Sequence, residues 1–182
     1  MSQKEFLKRL KRGEPEAQKE LFDKYSPVLL GIAMRYARNR EEAEDILQES
    51  FIKIFRNVDR FEDRGSFEGW LKRIVINTAI IHYHKAQKDK YHEDVTEVQE
   101  IKFESFNPEE PDFTMEELVS AIQSLPSGYR TVFNLYAIEG YKHKEIAQML
   151  GIDINTSKSQ YFRARKFLQK KLSELKNFRR DG

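Results

Sequence analysis

The feature that most constrains the fold is an acidic stretch at residues 91–114, which separates two regions with helical periodicity. Between Tyr91 and Glu117 the chain has ten acidic residues and one base, Lys102, together with two prolines. A segment of this composition buries too little apolar surface to offset the conformational entropy that folding removes. We therefore predict two small domains, residues 1–90 and 115–178, joined by an acidic linker at 91–114.

Both domains are expected to be helical. The 182 residues include only 8 Gly and 5 Pro, and no run alternates β-branched with polar side chains as a strand would. Pro15, Pro27 and Pro126 are expected to lie at joints between helices. The predicted fold class is all-α, with two small helical domains.

The amino-acid composition excludes several classes of function. The chain has no cysteine, which excludes disulfides, thiolate metal sites and cysteine nucleophiles. The longest mostly apolar run, Ile74–Ile81, is far shorter than the ~20 residues that span a bilayer, and no signal peptide is evident at the start. His82 and His84 would point about 200° apart on a helix and could not share a metal ion. We expect a cytoplasmic protein that is not an enzyme, uses no cofactor or metal, and does not insert into membranes.

A helix is predicted over Glu41–Arg56. Its inner side would carry Ala43, Ile46, Leu47, Phe51, Ile54 and Phe55. The opposite face would carry Asp45, Gln48, Glu49 and Ile52, spaced to lie side by side. This acidic, partly apolar face is either an ordinary solvated surface or a docking surface for a basic partner.

A second helix is predicted over about Phe67–Lys85, with Ser66 as its N-cap. Its packed stripe would contain Trp70, Leu71, Ile74, Val75, Thr78 and Ile81. Another face would combine Arg73, Asn77, Ile80 and His84, with Lys72 and Tyr83 nearby. Cations, an amide and an aromatic ring in one place suit single-stranded nucleic acid. The alternative is that Trp70 and Phe67 belong to the core, and for Trp70 burial is the stronger expectation, since a lone tryptophan at helical spacing is usually buried.

The second half of the chain predicts a helix-turn-helix. A short amphipathic helix at Lys142–Leu150 is followed by Gly151, and Asp153 would cap a second helix over Asn155–Lys171. That second helix would pack Tyr161, Phe162, Ala164, Phe167 and Leu168 inward. Its exposed side chains would be Asn155, Thr156, Lys158, Ser159, Gln160, Arg163 and Arg165. Short helix pairs are common in all-α proteins, but a polar, cationic outer face is typical of a helix that reads duplex DNA.

These segments together resemble the extracytoplasmic-function sigma factors, the small two-domain class of bacterial RNA polymerase sigma factors. The resemblance runs from about Phe6 to Leu175. Ala43–Phe51 is similar to the family's region 2.2, Phe67–Ile74 with Asn77 to regions 2.3 and 2.4, and Leu125–Arg165 to region 4. It implies a factor that binds core polymerase, directs it to promoters with a minus-10 and a minus-35 element, and helps to open the duplex.

The resemblance also implies residue roles and partners. Asp45, Gln48, Glu49 and Ile52 would dock on the clamp helices of the β′ subunit, with further contacts to the β subunit. The separated minus-10 strand would be held by Arg60, Phe61, Ser66, Phe67, Trp70, Arg73 and Asn77. The minus-35 duplex would be read by Asn155, Thr156, Lys158, Ser159, Gln160, Arg163 and Arg165. An anti-sigma factor is a further implied partner.

The chain departs from the family pattern at four positions. Ile81 and His84 stand where the family often has an acidic residue and an arginine, so the minus-10 contacts there are open. Lys142 replaces a capping serine, which should weaken that helix start by about 1 kcal/mol. Gln160 replaces a frequent arginine and would favour adenine over guanine. The main alternative is a stand-alone helix-turn-helix transcriptional regulator, which would leave the Asp45 face and the Trp70 region without a role.

Overall fold

The computed structural model describes residues 2–88 and 113–182, so most of the predicted linker lies outside the described residues. Every regular element in the described ranges is helical, and the chain divides into two compact units, Met1–His82 and Tyr83–Gly182. The predicted fold class, two small all-α units, is confirmed. Each unit is described by itself below.

The first unit is built from four helices: α1 (Gln3–Lys11), α2 (Pro15–Tyr36), α3 (Arg40–Asn57) and α4 (Phe67–Lys88), whose last six residues fall in the second unit. A short 3-10 turn, Val58–Arg60, follows α3. Side chains cap three of the starts. Ser2 Oγ accepts from the Glu5 N–H at 3.3 Å, Asn39 Oδ1 from the Glu42 N–H at 2.8 Å, and Ser66 Oγ from the Gly69 N–H at 3.1 Å. The predictions of α3, of α4 and of Ser66 as a cap are confirmed, and α4 runs three residues beyond its predicted end.

Pro27 lies inside α2, and its prediction as a joint between helices is wrong. A proline in a helix interior removes one hydrogen bond and costs about 3 kcal/mol. The helix continues because it buries Leu21 and Leu29 completely on either side of Pro27. Tertiary packing therefore outweighs the local penalty. Pro15, in contrast, occupies the first position of α2, where its missing N–H costs nothing.

The core of the first unit combines Leu21 and Leu29 with residues from α3 and α4. The inner side of α3 packs as predicted except for Phe55, which is half-exposed; Ala43, Ile46, Leu47, Phe51 and Ile54 are buried. This burial fixes the angular position of α3, so the opposite face of that helix turns to solvent.

The packed face of α4 is rotated from its predicted position. Ile80 and Tyr83, expected on the outer face, are buried, whereas Ile81, expected in the packed stripe, is 42% exposed. Apolar residues occur on nearly every side of this helix, so periodicity alone could not locate the centre of its packed face. A nucleic-acid role for Ile80 or Tyr83 at the surface is thereby removed.

The second unit contains α5 (Met115–Gln123), α6 (Ser127–Phe133), a π-helical turn (Asn134–Ile138), α7 (His143–Leu150) and α8 (Ile154–Asp181). Its most deeply buried side chains include Leu125, Val132, Leu135 and Ile146. Arg130 is also buried, and its Nη2 donates to the carbonyl oxygens of Gln123 at 3.1 Å and Leu125 at 2.6 Å. These bonds satisfy the Gln123 carbonyl, which the end of α5 leaves without a helical partner, and the Leu125 carbonyl in the turn that follows.

The helix-turn-helix is confirmed in α7 and α8. Gly151 adopts the left-handed conformation, with φ 65° and ψ 37°, and the Ile152 N–H returns to the Ala147 carbonyl at 3.0 Å. Asp153 Oδ1 then accepts from the Asn155 N–H at 2.8 Å and caps α8. Lys142 supplies no side-chain cap to α7, and Glu145 compensates in part by accepting from the Lys142 N–H at 2.8 Å.

Helix α8 runs ten residues past its predicted end at Lys171. Leu172 packs against the cluster of Ala121, Leu125, Ala164 and Leu168, and Arg179 forms an ion pair with Glu117 of α5. These contacts support the continuation. Phe167, predicted to pack inward, is exposed, because the inner face of α8 follows Ala164 and Leu168 and leaves Phe167 to one side.

Candidate functional site

The outer face of α3 is acidic and has one apolar side chain at its carboxyl-terminal end. Asp45 and Gln48 are exposed, and Ile52 is 50% exposed. Glu49 is partly exposed, and its Oε2 lies 3.0 Å from Nε2 of His82 on α4. The four predicted docking residues therefore form one continuous surface, defined here as the acidic face. His82 was not predicted to belong to it, since nothing in the sequence links two residues 33 positions apart.

An aromatic cluster lies where the loop before α4 meets that helix. The ring centroids of Phe61 and Phe67 are 5.2 Å apart, and those of Trp70 lie 5.5 Å from Phe61 and 5.8 Å from Phe67. Phe61 and Phe67 are buried, while Trp70 is only half-buried, so the expectation of a buried Trp70 is wrong. The two phenylalanines support the surface from beneath, and Trp70 reaches it.

A cavity of about 400 Å³ opens above this cluster and is called the loop cavity. Asp63 and Gly65 both have positive φ, 55° and 96°, which bends the loop around it. Its wall carries three guanidinium groups, two aromatic rings, a hydroxyl and one carboxylate. The lining residues are Arg60, Phe61, Glu62, Arg64, Gly65, Ser66, Gly69, Trp70 and Arg73.

A second cavity of about 400 Å³, called the α3/α4 groove, lies on the other side of Trp70. Arg60 and Trp70 line both cavities, and Lys53 Nζ donates to Thr78 Oγ1 at 3.2 Å across the groove. The groove is lined by Lys53, Asn57, Arg60, Trp70, Ile74, Asn77, Thr78 and Ile81. Lys53 and Asn57 were not predicted as site residues; their spacing of one helical turn on α3 was the available signal.

The first turns of α8 present the polar surface that the sequence predicts. Asn155 and Lys158 are exposed, and Thr156, Ser159, Arg163 and Arg165 are half-exposed. The Arg165 guanidinium lies 5.9 Å from the centre of the Tyr161 ring. Ser157 lies between these residues, is fully buried and is hydrogen-bonded to His143 of α7. This contact fixes the rotation of α8 relative to α7 and so keeps the polar residues on the outer face.

Gln160 sits differently from its neighbours. Its Oε1 is buried without a hydrogen-bond partner among the described residues, and a Cβ added to Gly128 of α6 would lie 3.1 Å from its Nε2. The side-chain amide is thus turned toward the backbone of α6, and glycine at position 128 makes room for it. To meet a base edge, Gln160 would have to leave this position.

Comparison with known proteins assigns both units to one family. Residues 21–89 match the family model of sigma-70 region 2, and residues 115–168 match that of sigma-70 region 4. The RNA polymerase sigma-H factor of Pseudomonas aeruginosa is 33% identical over 94% of this chain and 94% of its own length. The ECF RNA polymerase sigma factor SigW of Bacillus subtilis is 33% identical over 94% of this chain and 97% of its own. The chain is an extracytoplasmic-function sigma factor.

A solved relative shows the same fold. The sigma factor RpoE of Bartonella quintana, whose structure was determined in complex with the anti-sigma factor NepR, shares 23% identity with this sigma factor. The match covers 85% of this chain and 96% of that one, with a TM-score of 0.50. The resemblance inferred from the sequence is confirmed, and this protein directs the initiation of transcription by RNA polymerase. A stand-alone regulator is not favoured, because full-length relatives are sigma factors across both units.

The matched regions contain every surface described above. The region 2 match includes the acidic face, the loop cavity and the α3/α4 groove, and the region 4 match extends from α5 into α8. Within residues 2–88 and 113–182, no helix is long and apolar enough to cross a membrane. The same residues hold no group of three or more side chains suited to binding a metal ion.

Proposed function

We propose that this sigma factor docks on core RNA polymerase through the acidic face, holds the unpaired minus-10 strand at the loop cavity and the α3/α4 groove, and reads the minus-35 duplex with α8. One observation carries the proposal. The acidic face shares no residue with either cavity, although all three lie on α3, α4 and the loop between them. One small unit can therefore hold a basic partner and a nucleic acid at the same time.

Docking on the polymerase follows from charge and apolar area. Asp45 and Glu49 offer carboxylates to a cationic surface, and Ile52, about one turn beyond Glu49, offers a half-exposed apolar side chain at the end of the same face. Charge of this kind steers the encounter and fixes orientation, whereas burial of an exposed apolar side chain supplies affinity. His82 holds the Glu49 carboxylate in one place. The clamp helices of β′ are the proposed partner, with the β subunit contacting the second unit.

Capture of the minus-10 strand follows from the contents of the two cavities. Unpaired bases can stack on Trp70, while Arg60, Arg64 and Arg73 attract phosphate and Ser66 and Asn77 offer hydrogen bonds. Extruding a base from a duplex costs a few kcal/mol, which these contacts would offset. Phe61 and Phe67 act from beneath by holding the Trp70 ring. Strand opening thus depends on a rigid aromatic support with cations around it.

Recognition of the minus-35 element is proposed for the first turns of α8. A recognition helix places its amino-terminal residues against base edges, and flanking cations grip the phosphates. Asn155, Thr156 and Ser159 are placed for the first task, and Lys158, Arg163 and Arg165 for the second. Gln160 would contribute to base choice only after leaving Gly128.

We further propose that the protein works in the cytoplasm, catalyses no reaction, and needs no cofactor. An anti-sigma factor is the proposed inhibitor, by extension from the Bartonella quintana protein that was solved with one. Such a partner would cover the acidic face or the cavities until a signal releases them.

Three double variants of the full chain test this division of roles in reconstituted holoenzyme. Asp45→Arg with Glu49→Arg should abolish binding to core polymerase. Arg73→Ala with Asn77→Ala should leave core binding intact and reduce permanganate reactivity of minus-10 thymines. Lys158→Ala with Arg163→Ala should weaken promoter binding before the strands open. Uniform loss of all three activities in each variant, or strong binding of specific duplexes by the protein alone, would contradict the proposal.

A further inference from the structure

His143, the first residue of α7, is held in an unusually defined position. Its ring stacks on Tyr136 of the π-helical turn, with centroids 4.2 Å apart and an interplanar angle of 11°. Tyr161 of α8 lies 5.9 Å away on a tilted plane, and Nδ1 lies 2.8 Å from the hydroxyl oxygen of Ser157. Two aromatic side chains and one hydrogen bond thus fix both the plane and the rotation of the imidazole.

This hydrogen bond decides which edge of the imidazole is available. Ser157 is completely buried, so Nδ1 faces the interior of the unit. Nε2 lies on the opposite edge of the ring, and the side chain as a whole is half-exposed. The neighbours of Ser157 along the first turns of α8 are Thr156 and Lys158, both proposed to contact the minus-35 duplex. The imidazole therefore lies beside the stretch of α8 that is proposed to meet the minus-35 duplex.

The charges around His143 are those of an anion-binding surface. Burial and the nearby Lys158 ammonium lower the pKa of His143 below its ordinary value of 6.5. Lys142, the residue before α7, and Lys144 flank it in the sequence, and Glu145 accepts a hydrogen bond from the Lys142 N–H. The groups that face it from the π-helical turn and α8 are the phenols of Tyr136 and Tyr161, the Ser157 hydroxyl and Lys158. A phosphate placed here would oppose the effects of burial and of Lys158, raise the pKa of His143 and favour the imidazolium.

We propose that Nε2 of His143 donates a hydrogen bond to a backbone phosphate of the upstream promoter duplex, and that Ser157 and Tyr136 hold the ring for this contact. The proposal rests on the proposed function, because it requires α8 to lie in the major groove. In a helix-turn-helix, the helix that precedes the recognition helix crosses the DNA backbone. Here that preceding helix is α7, and His143 is its first residue. Such a contact positions the protein and carries no base preference of its own.

The sign of the pH dependence follows from linkage. The phosphate raises the pKa of His143 in the complex above that of the free protein, so protonation favours binding. The contribution is complete below the free-protein pKa, which lies under 6.5, and is lost as pH rises through the higher pKa of the complex. Affinity for promoter DNA should therefore increase as pH falls toward 6, by the amount that His143 supplies.

The test compares holoenzymes that carry wild-type protein or the His143→Tyr variant, which keeps an aromatic ring against Tyr136 and loses the imidazole. Binding of a fluorescent promoter duplex is measured at about pH 6 and about pH 8. At the lower pH we expect wild type to bind about five- to tenfold more tightly than the variant, and its salt slope to be steeper by about one. At the higher pH we expect a difference of about twofold or less, since a neutral imidazole still donates weakly.

Further variants separate the possible failures. If His143→Tyr has a lower melting temperature than wild type, His143→Gln replaces it in the same comparison. Ser157→Ala removes the hydrogen bond that holds the imidazole and should therefore reduce the difference in promoter affinity between the two pH values. The loss should be the same on promoters with altered minus-35 sequences. A difference between wild type and variant that is independent of pH, with an unchanged salt slope, would overturn the inference. If Lys158→Ala also has no effect, the proposed function of α8 fails; if it weakens binding while both His143 variants are silent, only the present inference fails.

Discussion

Replacing Ile52 by alanine tests whether the acidic face is the polymerase-docking surface. Ile52 is 50% exposed in the free protein, so half of its apolar surface is available to a partner. Docking would bury the remaining half. Asp45 and Glu49 keep their charges in this variant, so any loss of affinity comes from the apolar contact alone.

The expected magnitude follows from the exposed fraction. Complete burial of an isoleucine side chain contributes about 1.5–3 kcal/mol, so burial of the exposed half contributes about 1 kcal/mol. That corresponds to an about fivefold higher Kd for core polymerase. Loss of the half that is already packed in the unit should lower the free energy of unfolding of the variant by about 1 kcal/mol as well.

Ile81→Ala is the matched control, since Ile81 is the same residue type, 42% exposed, and lies in the same unit. It lines the α3/α4 groove and not the acidic face. In a fluorescence titration with core polymerase and no DNA, Ile81→Ala should bind like wild type. In a minus-10 opening assay at saturating polymerase the order should reverse, with Ile81→Ala impaired and Ile52→Ala normal. Equal Kd values for wild type and Ile52→Ala, or equal losses for both variants, would refute the reasoning.

Three further predictions follow from individual contacts. His82→Leu removes the partner of Glu49 and should weaken core binding about three- to fivefold, whereas His82→Gln, which can still donate from an Nε2, should restore most of it; a titration in which the two variants behave alike would contradict the positioning role. Gly151→Ala meets no atom within 4 Å but must adopt φ 65°, so urea unfolding should show a loss of about 1–2 kcal/mol, and an unchanged midpoint would show that the turn relaxes. Glu117 accepts from the Thr114 N–H and pairs with Arg179, which together hold its pKa below the ordinary 4.5; its stabilising effect is therefore complete above pH 4.5 and is lost as pH falls through the lower folded pKa. Acid titration of Glu117→Gln by circular dichroism should show a flatter acid limb than wild type, and identical limbs would exclude this contribution.

Local signals predicted the parts of the fold that local chemistry decides. The inner side of α3, the Ser66 cap and the turn at Gly151 each depend on residues within a few positions of one another, and each is confirmed apart from Phe55 on α3. Pro27 shows the limit of such signals, because a local rule predicted a break that the packing of Leu21 and Leu29 overrides. The π-helical turn before α7 carried no sequence signature.

The surfaces were predicted less completely, because they depend on which elements meet. The acidic face emerged from spacing on one helix, but the His82 contact that orders Glu49 joins two helices. The groove needed Lys53 from α3 beside Ile81 from α4, and periodicity had placed Ile81 in the core. Gln160 shares the spacing of the other α8 residues, yet its amide packs against α6, because Gly128 has no side chain to exclude it. Spacing along one helix gives no information about such neighbours.

The measurement that tests the central claim most directly is run-off transcription with purified bacterial core polymerase on a pool of genomic fragments. The reactions contain no added factor, the wild-type protein, or the Asp45→Arg with Glu49→Arg variant. We expect discrete new transcripts with the wild-type protein, each starting downstream of a shared pair of promoter elements, and none with the variant. Transcripts of equal strength from the variant, or none from the wild type although it binds core polymerase, would contradict the account.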